Sequence, residues 1–435
     1  MEAPRRDHVR PERSLIRAIS NANVFLLLVP LGFIAYAEKW PDALVASFNL
    51  AAIIPLSVHL SAASGAIGNR WGSLIGGLVN ATFGNTVELI VGVLAVLRNE
   101  PRMAQSIMVG SILSDILLVC LGRLALVRWH PSGSSNESQV QGCCFIAGAR
   151  STGVLQVNAA IADTLSTLMI ITTVALVLPA ALCSTLTSRG GSFHVDSMVI
   201  SFSRATAVVL LGVYIAYLYF QLKTHASIFV DQEQDGQDEA DNRIDTEAET
   251  QAATCSVDRP SMLKVAAASV ILVSSGLIIA KCTTNFMESL DGMAETLGVS
   301  KTFVAIIVIP VASNASEMAQ VVDASRKQKI DFAIGVIIGS ILQIALFVLP
   351  MLVIVGWALR QRMDLYFEPS QTYILLLAVV LVNQVLQDKH YTFLHGALLI
   401  SVYVGNFKES TLYFKHVANL YLDRRYVVVM AAYFT

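Results

Sequence analysis

The pentapeptide Gly84-Asn85-Thr86-Val87-Glu88 stands in very apolar sequence, and a similar one, Ser313-Asn314-Ala315-Ser316-Glu317, follows in the second half of the chain. Each glutamate is followed 22 residues later by the same tetrapeptide, Gly-Ser-Ile-Leu, at residues 110–113 and 339–342. The two copies lie 229 residues apart. Motifs that recur with the same internal spacing indicate an internal repeat, so each half of the chain is expected to form one copy of a common unit.

The composition is that of an integral membrane protein. Apolar residues make up 54 % of the chain, charged residues 14 %, and the mean hydropathy is +0.61. Apolar stretches of about 20 residues, the length that crosses about 30 Å of hydrocarbon, predict an all-α transmembrane fold. An ionisable side chain inside such a stretch is costly enough to indicate a functional site. A pair of them related by a repeat indicates a transporter rather than an enzyme.

About eleven transmembrane helices are predicted, one leading helix followed by two repeats of five. The predicted spans are residues 23–37, 43–68, 72–97, 103–127, 158–184, 197–221, 262–287, 301–324, 330–358, 370–387 and 392–404. They divide the chain into a basic N-terminus (1–22), a leading helix (23–41), a first repeat (42–221), an acidic loop (222–261), a second repeat (262–404) and a divergent C-terminal tail (405–435). An odd number of helices per repeat makes the second copy enter the membrane from the opposite side, which predicts inverted topology.

The placement of lysine and arginine orients these spans. Alternation from an arginine-rich cytosolic N-terminus also places the acidic loop in the cytosol. The opposite side then receives Lys39, Arg98, Arg102, Arg189, Lys301, Arg360 and Arg362. The acidic loop carries nine carboxylates between Asp231 and Glu249. It is typical of a solvated linker, and a surface that concentrates cations near an entrance is the alternative.

Oxygen-bearing side chains gather in the two motifs and on the helices that follow them. Asn85 and Glu88 are three residues apart, as are Asn314 and Glu317, so each pair projects from one helical face. The candidate cation- and proton-binding residues are Asn80, Asn85, Glu88, Ser111, Ser114, Asp115, Asn314, Glu317, Ser340 and Gln343. Oxygen ligands suit a hard divalent cation, calcium first and manganese as the alternative, with the two glutamates as metal ligands.

The two glutamates also indicate how transport is coupled. Their charge is uncompensated when the site is empty, and one divalent cation or protons can neutralise it, so competition between these occupants is the minimal requirement for antiport. Glycines such as Gly110 and Gly339 allow helices to approach each other closely or let local backbone carbonyls turn toward an ion. Pro310, seven residues before Glu317, is expected to break its helix beside the site.

Seven segments spread over both halves carry a recognisable pattern. They are residues 76–90 (GGLVNATFGNTVELI), 110–114 (GSILS), 203–207 (SRATA), 221–225 (QLKTH), 295–303 (ETLGVSKTF), 343–347 (QIALF) and 364–369 (DLYFEP). With them the chain resembles the cation/proton exchanger (CAX) family of vacuolar calcium antiporters, in the calcium/cation antiporter superfamily. The resemblance implies eleven helices, proton-driven calcium uptake into a vacuole or another acidic organelle, calcium ligation by Glu88 and Glu317, and a cytosolic acidic loop.

The second repeat departs from the family pattern, which usually reads Gly-Asn-Ala-Ala-Glu-His at this motif. Ser313 replaces the glycine, and Met318 replaces the histidine, whose imidazole the family pattern links to proton handling. Thr284 stands where the family usually has an acidic residue, Ile341 where it has a serine, and Asp115 where it has an asparagine. Asp115 is either a third coordinating or proton-carrying carboxylate or the partner of a nearby polar group, and the sequence leaves both open.

Three functions are compatible with these patterns. The favoured one is exchange of cytosolic calcium for protons from an acidic organelle, by alternating access around the two glutamates. The second is antiport of manganese or another cation within the same superfamily. The third is a transport-impaired paralogue with a regulatory role, because the second motif and the tail after Val404 are altered. The expected partners are the lipid bilayer, calcium and protons, without a cofactor or nucleic acid, and a homo-oligomer is left open.

Overall fold

The computed structural model describes residues 25–68, 70, 79, 82–118, 155–156, 166–174, 176–179, 192–224, 262–326, 330–387 and 390–391, which are almost entirely helical. The helices are α1 (Leu28–Ala37), α2 (Asp42–Gly68), α3 (Thr86–Leu97), α4 (Pro101–Leu113), α5 (Ser192–Tyr219), α6 (Met262–Glu288), α7 (Leu290–Leu297), α8 (Lys301–Ser313), α9 (Ala315–Arg326), α10 (Ile330–Gln343), α11 (Leu349–Ala358) and α12 (Pro369–Gln387). Residues 166–174 and 176–179 are helical as well, and Leu155–Gln156 pairs antiparallel with His390–Tyr391.

Several of these helices are long and apolar enough to cross a membrane. Four described helices qualify: Asp42–Gly68, Ser197–Tyr219, Met262–Glu288 and Ala333–Ala358. α7 and α8, which meet at 109°, add a fifth if they form one broken span. The all-helical membrane architecture is thereby confirmed. The number of eleven stays a prediction, because the N-terminus, residues 225–261 of the acidic loop, the last predicted span and the C-terminal tail lie outside the described residues.

The outward and inward faces of the helices differ as expected for a bundle in lipid. Ile215 on α5 and Leu263 and Leu277 on α6 are exposed apolar side chains, which fits contact with lipid tails. The core lies where α3, α4, α8 and α10 pack together. Ile107 and Leu342, for example, are fully buried there.

Both motif helices are interrupted at their asparagine. Residues 82–84 are helical, the backbone turns at Asn85 (φ −98°, ψ 29°), and α3 begins with the next residue. In the second repeat α8 ends, the backbone turns at Asn314 (φ −81°, ψ 6°), and α9 begins with the next residue. The carbonyl of each asparagine accepts the N–H four residues further on, at 3.1 Å and 3.0 Å. The internal repeat is therefore visible in the backbone, and discontinuous helices of this kind are typical of transporter binding sites.

The sequence treats residues 72–97 and 301–324 as single spans, whereas the structure divides each at its asparagine. It also contains a helix that the sequence does not predict. α7 lies between two predicted spans. Three of its eight residues are polar, and the helix is too short to register as a membrane segment.

Wide π-helical turns interrupt several of the helices, two of them just before a proline. In the part of the chain that the structure describes they cover Ser114–Leu118, Phe220–Thr224, Val304–Val308 and Ile344–Val348. The last two end two residues before Pro310 and Pro350. Because proline has no N–H to donate, the wider turn lets the helix continue past it. The expectation that Pro310 breaks its helix is therefore wrong: the chain stays helical to Ser313, and the break falls at Asn314.

α4 and α8 come into backbone contact at Gly110. A β-carbon on this residue would lie 2.3 Å from the backbone oxygen of Ile306, so any side chain would force the two helices apart. The repeat-related Gly339 has no such neighbour, since no described heavy atom lies within 4 Å of its β-carbon position. The predicted close approach of helices at glycine is confirmed for Gly110.

The connections that the lysine and arginine pattern places opposite the cytosol meet on one face of the bundle. Glu288, at the end of α6, accepts hydrogen bonds from Arg98 after α3 and from Tyr36 near the end of α1. Arg102 on α4 donates to the backbone carbonyl of Tyr366 in the segment before α12. These contacts link α1, α3 and α6 in one group and α4 with the segment before α12 in another. The assignment of this face to one side of a membrane stays a prediction.

Candidate cation-binding site

The two asparagines at the helix breaks bind across the repeats. Asn85 Nδ2 donates to Gln343 Oε1 of the second repeat at 2.6 Å. Asn314 Nδ2 donates to Asp115 Oδ1 of the first repeat at 2.7 Å, and to the backbone carbonyl of Ser111 at 3.3 Å. Each break is thus held by the helix that follows the other motif, where the wide turns Ser114–Leu118 and Ile344–Val348 begin.

Ser340 joins these two contacts into one network. Its hydroxyl lies 2.9 Å from Asp115 Oδ2 and 3.3 Å from Asn85 Oδ1. A continuous chain of polar side chains therefore runs from Asn314 through Asp115, Ser340 and Asn85 to Gln343. The first four of these residues are buried, and such networks are costly to form unless their members are satisfied by one another.

Glu88 and Glu317 occupy the third position of the helices that follow the breaks, α3 and α9. The partial positive charge of a helix N-terminus favours a carboxylate there. Glu88 is 2 % exposed, and Glu317 is partly exposed. Asp115 interacts electrostatically with both glutamates, and the glutamates interact with each other. None of these three carboxyls forms an ion pair within the described residues, so their charges are left to be balanced by something else.

Two hydroxyls of the predicted site are available for a ligand. Ser111 and Ser114 are completely or almost completely buried, and their Oγ atoms have no hydrogen-bond partner among the described residues. Buried polar atoms are usually satisfied, so an orphaned hydroxyl beside a carboxylate cluster indicates a place where an ion or water binds. Ser111 is adjacent to the site, since its carbonyl accepts from Asn314.

The structure brings together most of the predicted site residues. Asn80 lies outside the described residues. Ser313, which sequence reasoning did not include, belongs to the cluster because its hydroxyl interacts with the Glu88 carboxyl. The signal that could have found it is its position, which is equivalent to Gly84 in the first motif.

The arrangement is not a ready-made metal cage of acidic side chains. Across the described residues, no group of three or more histidine, cysteine, aspartate or glutamate side chains has metal-binding geometry. A cation bound between the repeats would therefore use amide, hydroxyl or backbone oxygens together with carboxylates, which is a ligand set that calcium accepts.

Comparison with known protein families identifies the family to which the chain belongs. The profile of the sodium/calcium exchanger protein family matches residues 42–223 and 267–406, one match for each repeat. The chain belongs to the sodium/calcium exchanger protein family. The two matched regions contain both helix breaks and every residue of the polar network.

Individual members of the exchanger family align over most of the chain. The vacuolar calcium ion transporter of Schizosaccharomyces pombe is 34 % identical over 381 residues, covering 88 % of this chain and 82 % of the relative. The Ca2+/H+ antiporter of Synechocystis is 32 % identical over 387 residues, covering 87 % and 94 %. The solved structure of native YfkE superposes with a TM-score of 0.65 at 24 % identity, covering 88 % of this chain and 98 % of that one, which shows a shared fold. The resemblance to cation/proton exchangers is therefore confirmed.

Proposed function

We propose that the protein is a secondary antiporter that exchanges cytosolic calcium for protons from an acidic organelle. Relatives that are named vacuolar calcium ion transporter and Ca2+/H+ antiporter support this choice of substrates and of membrane. The N-terminus and the acidic loop 222–261 are assigned to the cytosolic side. The halves 42–221 and 262–404 are the two inverted repeats that move relative to each other.

The observation that carries the proposal is the group of unpaired carboxyls at the two helix breaks. Glu88, Asp115 and Glu317 interact with one another and have no ion-pair partner among the described residues. Like charges at close range favour any bound cation, and the oxygen-rich surroundings favour a hard one. Calcium and protons neutralise the same carboxylates, so occupancy by one displaces the other, which is the requirement for exchange.

Each part of the site has a proposed role. Glu88 and Glu317 are the calcium ligands, one from each repeat, and both release calcium when they are protonated. The amide and hydroxyl oxygens of Asn85, Asn314 and Ser340 complete the polar surroundings. Each asparagine is hydrogen-bonded to the opposite repeat. A movement of one repeat is therefore transmitted to the other repeat at the helix breaks. Alternating access is thereby tied to occupancy of the site.

The test is calcium uptake by vesicles that contain the purified protein and hold an acidic interior. Uptake should appear when the proton gradient is imposed and should stop when it is dissipated. Glu88→Gln and Glu317→Gln should each reduce the uptake rate by at least about a hundredfold, because each removes a charged ligand and a proton acceptor at once. The measurement is the initial rate of radioactive calcium accumulation.

The matched control is Glu38→Gln, which alters an exposed glutamate in the connection after α1 and should leave the rate unchanged. Uptake that persists in both site variants would remove the assignment of the glutamates. A wild-type protein that accumulates manganese but not calcium under the same gradient would favour the manganese antiporter. If neither ion is accumulated by correctly folded protein, the regulatory paralogue becomes the better description.

A further inference from the structure

Ser313 is the last residue of α8 and lies directly before the break in the second repeat. It is 4 % exposed. Its hydroxyl lies 3.3 Å from the backbone carbonyl of Pro310 and 3.4 Å from Asn314 Oδ1, and it also interacts with the Glu88 carboxyl of the first repeat. The serine therefore lies at the helix end, beside the break, and within reach of the glutamate of the other repeat.

The surroundings of this hydroxyl contain more acceptors than donors. A serine hydroxyl has one proton, and the amide oxygen of Asn314 and the carboxylate of Glu88 compete for it. The carbonyl of Pro310 also lies near the hydroxyl, but it already accepts the backbone N–H of Asn314 at 2.9 Å. The contacts of the hydroxyl with Pro310 and Asn314, at 3.3 Å and 3.4 Å, are also long for a hydroxyl donor, whose usual distance is about 2.7–2.8 Å. Two acceptor oxygens that share a single proton are poorly satisfied by each other and well satisfied by a cation.

A second observation on the neighbouring helix points the same way. The hydroxyl of Ser111 is completely buried and has no partner in the described part of the chain. Ser111 is next to the break, because its backbone carbonyl is 3.3 Å from Asn314 Nδ2. A buried, unsatisfied oxygen therefore adjoins the group of acceptors around Ser313, and both are explained if an ion binds between them.

The first repeat fills the equivalent space differently. Gly84 corresponds to Ser313, and a β-carbon at Gly84 would lie 3.7 Å from Gln343 Oε1. The amide of Gln343, already bonded to Asn85, thus occupies the space beside the first break. The residue that corresponds to Gln343 in the other repeat is Ser114, whose side chain is much shorter. One repeat pairs a long amide with a glycine, and the other has two hydroxyls.

We propose that Ser313 is a specificity-determining cation ligand, whose hydroxyl oxygen coordinates the ion held by Glu88 and favours calcium over manganese. This inference rests on the proposed function in taking calcium as the cargo. Calcium accepts six to eight oxygen ligands, whereas manganese sites are octahedral. A neutral oxygen added beside the carboxylates therefore stabilises bound calcium more than it stabilises bound manganese, which has no use for a seventh ligand.

The experiment measures equilibrium binding of calcium alone and of manganese alone to the purified full-length protein in detergent. Ser313→Ala should weaken calcium binding about tenfold and change manganese binding by less than about threefold, so that the ratio of the two dissociation constants shifts. Ser313→Thr keeps the hydroxyl and should preserve the wild-type ratio. Ser316→Ala, which removes another buried hydroxyl of the same motif, is the matched control and should leave both constants unchanged.

The ratio separates a ligand from a residue that only supports the fold. If Ser313→Ala weakens the binding of both ions by the same factor, or of neither ion, the inference is wrong. It is also wrong if Ser313→Thr does not keep the wild-type ratio of the two dissociation constants. Binding is measured without a proton gradient, so it is independent of exchange. Selective calcium binding without proton-driven uptake would overturn the proposed function alone. Loss of binding in Glu88→Gln with no effect of Ser313→Ala would overturn this inference alone.

Discussion

At the break in the first repeat, Asn85 donates its side-chain amide to another amide, Gln343, whereas at the break in the second repeat Asn314 donates to a carboxyl, Asp115. The backbone is the same in both places: a helix stops at the asparagine and resumes with the next residue. The surroundings differ in charge, in side-chain length and in exposure. Glu88 is almost fully buried, and Glu317 is partly exposed.

This difference shows that the repeat preserves geometry more strictly than chemistry. The duplicated breaks place two glutamates at two helix N-termini, which needs only a common backbone. The side chains around them are free to specialise, because each repeat contacts a different partner in the other half. Ser313 and Asp115 are the residues at which the two halves diverge most within the site, and they lie on opposite sides of the same interface.

The largest effect on stability is expected when Gly110 is replaced, in comparison with the repeat-related Gly339. Gly110→Ala places a β-carbon against the backbone of Ile306. A flexible side chain could move away from it, but the backbone of a packed helix cannot. Overpacking of this kind costs about 1–3 kcal/mol, so the variant should unfold at a clearly lower temperature in detergent. Gly339→Ala is the repeat-related control, and its melting temperature should be close to wild type, measured by tryptophan fluorescence. Equal destabilisation by both substitutions would contradict the asymmetric packing of α4 and α10.

A smaller difference in stability is expected between variants of the two asparagines, Asn85 and Asn314. Asn314→Ala removes a hydrogen bond to a carboxyl, worth about 1.5–3 kcal/mol, while Asn85→Ala removes one to a neutral amide, worth about 1 kcal/mol. Each variant also loses one longer contact of 3.3 Å, with Ser111 and with Ser340 respectively, so these second contacts do not change the order. The free energy of unfolding should therefore fall further in Asn314→Ala. Thermal unfolding of the two purified variants, compared with the wild type, measures this order. A reversed order would show that the Asn85–Gln343 contact is the main connection between the repeats.

The sequence predicts well that the protein has a cation-binding site of a membrane transporter and that the two glutamates lie at its centre. Both predictions depend on local signals. A carboxylate inside an apolar stretch is visible without a structure, and the constant spacing from Glu88 to Gly110 and from Glu317 to Gly339 reveals the repeat. The network of asparagines is not predictable in this way. Asn85 and Gln343 are 258 residues apart, and only the packing of two repeats brings them together.

The positions of the helix breaks were also beyond sequence reasoning. Pro310 is the residue that normally marks an interruption, yet a π-helical turn before it lets the helix continue. The interruption occurs at Asn314, a residue type that is tolerated inside helices and carries no strong signal of its own. Ser313 was noticed only as a departure from a family pattern, since its role depends on Glu88 of the other repeat lying beside it.

The smallest expected effect concerns Asp115, for which the sequence left two roles open. Both of its oxygens already have partners, Asn314 at Oδ1 and Ser340 at Oδ2. An asparagine in its place can still accept from Asn314 through its carbonyl and can donate to Ser340 through its amide. Asp115→Asn should therefore change the free energy of unfolding by less than about 1 kcal/mol. It should also weaken calcium binding by less than about tenfold, because one negative charge of the cluster is lost while both glutamate ligands remain.

The same variant tests whether Asp115 is a ligand after all. A direct carboxylate ligand contributes charge as well as an oxygen, so its replacement by an amide would weaken calcium binding by more than about tenfold while the fold stays intact. That outcome would make the first repeat the richer half of the site, with two coordinating carboxylates against one. The expected outcome instead makes Asp115 the residue that holds the second break in place, since it receives the amide of Asn314 and shares the hydroxyl of Ser340 with Asn85.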